Sequence, residues 1–76
     1  MKLPQVNGRE VIKVLSKAGF VADRQKGSHV RLVKEMGAEV IKITVPVHSG
    51  KPLKLGTLSR IIKDAGLTRE EFLRLL

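Results

Sequence analysis

Residues 28–45 read Ser28-His29-Val30-Arg31-Leu32-Val33-Lys34, then Glu35-Met36-Gly37-Ala38, then Glu39-Val40-Ile41-Lys42-Ile43-Thr44-Val45. Side chains of a strand alternate between its two faces. In the first run Val30 and Leu32 therefore point one way, and His29, Arg31 and Val33 the other. In the second, Ile41, Ile43 and Val45 point to a core, and Val40, Lys42 and Thr44 away from it. The four residues between the runs carry a glycine where a hairpin needs an unusual dihedral. A third run, Phe20 to Lys26, alternates weakly and joins Ser28–Lys34 through the tight Gly27-Ser28 connection. The pattern predicts a three-stranded antiparallel meander with one apolar and one polar face.

Helices are expected on both flanks. Asn7 is a good N-cap and Glu10 stands where a capping box needs it, with Val6 and Val11 spaced as a hydrophobic staple. Val11, Ile12, Leu15 and Ala18 make one apolar stripe. Gly19 suits a left-handed stop, after which Phe20 folds back on Leu15. Arg9, Lys13 and Lys17 take the opposite face and read as its solvated side. Pro46 lacks a donor and ends the strand pairing. A loop over 46–56 follows, carrying His48, Lys51 and Lys54, and a loop of that length in a small domain is often functional. Thr57 is expected to cap a second helix with Leu58, Ile61, Ile62 and Ala65 inward and Gly66 as its stop. Thr68 and Glu71 form a second capping box, opening a short helix that holds Phe72, Leu73, Leu75 and Leu76. The expected architecture is one domain over residues 1–76, α+β, α-β-β-β-α with a short C-terminal helix and the helices on one face of the sheet.

Composition narrows the partners. The chain has 76 residues, 15 Lys and Arg against seven Asp and Glu, and a net charge of +8. Residues 1–34 hold eight of those cations and two of the acids, whereas residues 64–76 hold two cations and three acids. A basic body of this size reads as a polyanion-binding surface, nucleic acid first and an acidic protein second. There is no cysteine, hence no disulfide framework and no thiolate zinc site, which suits a reducing cytoplasm. Met1-Lys2-Leu3-Pro4 lacks the apolar core of a signal peptide, and no run approaches the roughly 18 apolar residues of a membrane span. No cofactor and no membrane partner are expected.

Within this frame His29 is the first chemical candidate. It lies on the polar face with Arg31, and Arg24 and Lys26 fall just across the turn. Amides at Gly27 and Ser28 could also meet a phosphate. RNA is cut when its 2′-hydroxyl loses a proton and attacks the adjacent phosphorus. That reaction needs a base, an acid for the leaving 5′-oxygen and cations for the phosphate. Histidine suits either proton role, since its ordinary pKa of about 6.5 lies near working pH. His48, at the exit of the third strand, is the second candidate proton carrier. Lys51 and Lys54 precede a helix start, where free amides favour anions, and read as phosphate contacts. Two histidines without clustered carboxylates make no convincing metal site. Ser28 as a nucleophile lacks the order of partners that would activate it. With two Phe, no Tyr and no Trp, a sheet that stacks bases on aromatic rings is disfavoured.

These residues together resemble the HicA family of small toxins, which are mRNA interferases. The resemblance covers nearly the whole chain. It rests on Ala18-Gly19-Phe20, Arg24-Gln25-Lys26-Gly27-Ser28-His29, Val45-Pro46-Val47-His48 and Gly56-Thr57-Leu58 before Ile61-Ile62. It implies a double-stranded-RNA-binding-domain-like fold, ribosome-independent cleavage of mRNA that arrests growth in a stress response, and a cognate HicB antitoxin. It also implies that His29 is the catalytic histidine, with His48 matching a second histidine motif. Two other classes fit the composition: a non-catalytic double-stranded-RNA-binding module, and a protein-interaction module whose basic face meets an acidic partner.

Overall fold

The computed structural model describes residues 2–48 and 50–76; Met1, and Ser49 of the expected loop, lie outside the described residues. The elements run α1 (Gly8–Lys17), β1 (Val21–Lys26), β2 (His29–Met36), β3 (Glu39–Pro46), α2 (Leu55–Asp64) and α3 (Arg69–Leu75). The strands form one antiparallel sheet in the order β1-β2-β3. This is the α+β arrangement that the alternation predicts and the double-stranded-RNA-binding-domain-like fold that the resemblance implies.

Local chemistry sets the ends of each helix. Asn7 accepts from the Glu10 amide and Glu10 reaches back to the Asn7 amide, so the capping box at α1 is complete. The box at Thr68 and Glu71 is complete as well. At the far end of α1 the Phe20 amide donates to the Leu15 carbonyl and the Gly19 amide to Ser16. Gly19 takes a φ of 100° there, as the left-handed step of this stop requires. Leu67 and Gly66 repeat the same pair of bonds on Ile62 and Lys63 at the end of α2.

Thr57 does not cap α2. The N-cap is Lys54, which offers no side-chain bond, and the helix begins at Leu55. The Leu58 amide already donates to the Lys54 carbonyl, so Thr57 lies inside the first turn. A hydroxyl before an apolar stripe looks like a cap, but helical geometry was available three residues earlier, through Leu55 and Gly56. The expected loop over 46–56 shortens accordingly to the segment between Pro46 and Leu55.

Both hairpins close with two residues, Gly27-Ser28 between Lys26 and His29, and Gly37-Ala38 between Met36 and Glu39. Each leads with a glycine of positive φ, 59° and 61°, the glycine-first pattern of tight hairpins that match strand twist. The register is regular in β2–β3 but slips between Ala22 and Arg24 in β1. The bulge at Asp23 shifts the faces of its neighbours, and β1 alternates weakly because every one of its residues is exposed.

α1 and α2 cover one sheet face, and α3 packs on α1. Val30, Leu32, Ile43 and Val45 meet Val11, Val14, Leu15, Leu58, Ile61, Ile62 and Phe72 in a single core cluster. Each fully buried large side chain contributes about 1.5–3 kcal/mol relative to exposure. Lys34 locks the sheet to the helix end: its ammonium donates to the Ala18 carbonyl at 2.8 Å and lies 5.7 Å from the Phe20 ring centroid. No helix is long and apolar enough to cross a membrane among the described residues.

Candidate nucleic-acid interface

Cross-strand partners share a face of the sheet, so the register draws the open surface row by row. Lys26, His29 and Pro46 form one row and Arg24, Arg31 and Thr44 the next. Val21, Val33 and Lys42 come third. The open face is therefore basic at the Gly27 end and partly apolar toward the other, where Val21 and Val40 are exposed.

His29 starts β2 on this basic end and is exposed. His48 follows β3 by two residues and is also exposed. Their ring centroids stand 6.5 Å apart with the planes at 82°. Backbone bonds hold the two together. His29 pairs with Pro46 in the ladder, and the Val47 amide donates to the Ser28 carbonyl at 2.6 Å. The His48 carbonyl accepts from the Lys51 amide at 3.0 Å, with Gly50 at a φ of 71° in that turn. The Leu53 amide then donates to the Val6 carbonyl at 2.7 Å, and Asn7 bridges to Pro52. The segment carrying His48, Lys51 and Lys54 is thus tied at one end to β2 and at the other to the entry of α1.

His48 forms part of the wall of two clefts. One, of about 290 Å³, is lined by Asn7, Gly8, Arg9, Val47 and Gly50 as well. The other, of about 330 Å³, is lined by Pro46, Lys51, Pro52, Leu53, Lys54 and Thr57 beside it. Two larger clefts, about 370 and 410 Å³, lie along Ser59 and Arg69 and have no histidine in their walls. The imidazole pair thus adjoins the smaller clefts and not the larger ones.

The expected phosphate contacts separate into groups. Arg24 and Lys26 are exposed on the rows of Arg31 and His29. Gly27 and Ser28 form the turn leading into His29. Lys51 and Lys54 are exposed and line the second cleft together with His48. Arg31 differs from them, because its Nη2 lies 2.9 Å from Asp23 Oδ2, and both side chains are about one-third exposed (34%). Its Nε is buried without a partner. Asp23 is the bulge residue, so the slip in register delivers a carboxylate onto the basic face.

Sequence reasoning passed over Asp23 and Gly8. Gly8 is the first residue of α1 and is buried. A Cβ there would collide with the Pro46 carbonyl oxygen and meet Val47 Cα and Cγ2 at 3.0 Å. Glycine permits such a close approach, but Gly56 in the first turn of α2 meets nothing within 4 Å, so residue type alone carries no signal of it. The effect of Gly8 is to seat α1 directly on the strand exit that leads to His48.

Among the described residues, no three His, Cys, Asp or Glu side chains gather where they could hold a metal ion. What the surface offers is two imidazole rings at one spot, lysines and an arginine around them, and two clefts that share the His48 residue. These features sit together on the exposed basic face of a small α+β domain.

Residues 8–67 match the model of the HicA toxin of bacterial toxin–antitoxin systems. The chain belongs to the HicA toxin family, and membership makes it a toxin of a toxin–antitoxin system with an antitoxin as partner. No curated protein matches the chain.

Proposed function

We propose that the protein is a ribosome-independent endoribonuclease, an mRNA interferase, that cuts RNA by transfer of protons through His29 and His48 with no metal ion taking part. One imidazole takes the proton of a 2′-hydroxyl, and that oxygen attacks the adjacent phosphorus. The bond from phosphorus to the 5′-oxygen breaks, and the other imidazole, as imidazolium, protonates the leaving oxygen. The products are a 2′,3′-cyclic phosphate and a 5′-hydroxyl, and the two histidines end with their protonation states exchanged. Lys26 and Arg24 neutralise the phosphate on one side, and Lys51 and Lys54 follow the backbone on the other. The Gly27 and Ser28 amides lie beside His29. Arg31 supports the face through Asp23 and reaches phosphate when that pair opens.

The observation that carries this reading is the 6.5 Å separation of the His29 and His48 rings on an exposed basic surface. Two proton carriers at that spacing can flank one phosphate. An enzyme that uses the 2′-hydroxyl must leave DNA intact. Cleavage of an RNA, but not of the DNA of the same sequence, with cyclic phosphate ends is the expected result. Cutting of both would rule out the mechanism, and salt-dependent binding without cutting would make the protein an RNA-binding module.

The partner follows from the same surface. A HicB-type antitoxin is proposed to cover the His29 face with an acidic surface or an inserted segment, also burying Val21 and Val40. Exposed apolar side chains beside a charged site suit a protein partner. Protection of His29 and Lys26 from modification in the complex is the expected outcome; an interface that leaves them open would refute it.

A further inference from the structure

Of the two clefts beside His48, the second is the more apolar. Its lining is mostly apolar, from Pro46, Pro52 and Leu53, together with the exposed lysines Lys51 and Lys54. Pro46 is also the ladder partner of His29. Through Pro46 the apolar lining adjoins the row that holds the first imidazole, and His48 is itself part of that lining. Leu53 is half-buried and pinned through its amide to Val6, so the cleft has a fixed side. At about 330 Å³ it has room for a single planar heterocycle. Apolar walls with a few polar groups at the edge are the usual make-up of a small-molecule subsite.

We propose that this cleft is a nucleobase subsite: it takes one unstacked base adjoining the scissile phosphate and sets the sequence preference of cleavage. The proposal rests on the ribonuclease reading above. Sequence-specific RNA recognition targets bases splayed out of single strands, because the grooves of an RNA duplex hide their edges. With neither Tyr nor Trp in the chain, the planar contact falls to proline rings and the leucine side chain. The exposed lysines then face the phosphates on either side of the captured base, and Thr57, also in the lining, is a polar group for its edge. The substrate at the cut is consequently single-stranded, although the fold is that of a duplex binder.

The test uses the full chain and an unstructured RNA pool randomised on both sides of one position, with cut sites read by sequencing. Wild type is expected to favour one base at a fixed flanking position by roughly tenfold or more, the range one apolar pocket contact commands. Pro52→Glu, at an exposed position, and Leu53→Ala are each expected to flatten that preference by about the same factor. Pro52→Glu decides the matter if Leu53→Ala does not fold. A preference unchanged in a folded variant overturns the proposal, as does a loss of antitoxin binding with base preference intact, which would give the cleft to the protein partner. Absence of cutting by wild type would instead overturn the ribonuclease reading on which it stands.

Discussion

His29 and His48 lie 19 positions apart in the chain, yet their rings meet edge to face at 6.5 Å. The contact exists because β2 begins where β3 ends: His29 pairs with Pro46, and Val47 is tied to Ser28. A hairpin register thus brings together two side chains that local sequence keeps apart.

If the rings share one phosphate, their removal should be strongly non-additive. His29→Ala and His48→Ala are each expected to lower kcat/KM by about 10²–10⁴-fold, the usual worth of a positioned proton transfer. The double variant should lose little beyond the worse single one, as for groups acting as a unit. Single-turnover cleavage by the four proteins measures this, and a His48→Ala enzyme with full activity would remove His48 from the mechanism.

Asp23 restrains Arg31. Asp23→Asn deletes one carboxylate from the basic face and frees the guanidinium for phosphate. The salt dependence of RNA binding should steepen by up to about 0.7–0.9 in slope, the equivalent of one extra phosphate contact. The exposed pair itself is worth at most about 1 kcal/mol, so stability should change little. RNA titrations at several salt concentrations, with a denaturant melt, check both parts.

Two glycines in first turns of helices should respond oppositely to alanine. Gly8→Ala drives a methyl group into the Pro46 carbonyl and is expected to destabilise by about 1–3 kcal/mol, an overpacking cost, while loosening the segment that carries His48. Gly56→Ala meets nothing within 4 Å and needs no positive φ, so it should stabilise by about 0.4–1 kcal/mol. Urea unfolding of both variants, with activity of Gly8→Ala, gives the comparison.

The cap of α3 should weaken in acid. Bonds from the Thr68 backbone, and then from its hydroxyl, hold the Glu71 carboxyl below its ordinary range. A depressed folded-state pKa contributes stability above the unfolded value and loses it as pH falls through the folded one. Hydrogen exchange at the α3 amides should therefore accelerate on acidification below the ordinary glutamate range, and Glu71→Gln should remove that dependence. Exchange in α3 insensitive to pH beyond its intrinsic chemical rate would contradict the linkage.

Much of this molecule is legible in sequence because its local signals agree with one another. The boxes at Asn7–Glu10 and Thr68–Glu71, the stops at Gly19 and Gly66, and the alternation of residues 28–45 each name their own element. The Thr57 cap failed because a cap residue is only a candidate, and where the chain turns helical depends on how the loop from Pro46 packs. The Asp23 bulge is invisible because one extra residue in a strand changes the face of its neighbours without changing composition. Of the site, the placement of His29 on the open face follows from period two alone. The approach of His48 depends on long-range register, and the clefts beside it depend on how α1 seats at Gly8, which no local pattern encodes.

The most direct test of the account incubates purified wild type and His29→Ala with a structured mRNA, in EDTA and without ribosomes. The account predicts cleavage by wild type alone, leaving cyclic phosphate or 3′-phosphate ends. Equal RNA binding by both proteins with no cleavage by either would contradict it, and His29 would then be an ordinary surface residue of an RNA-binding domain.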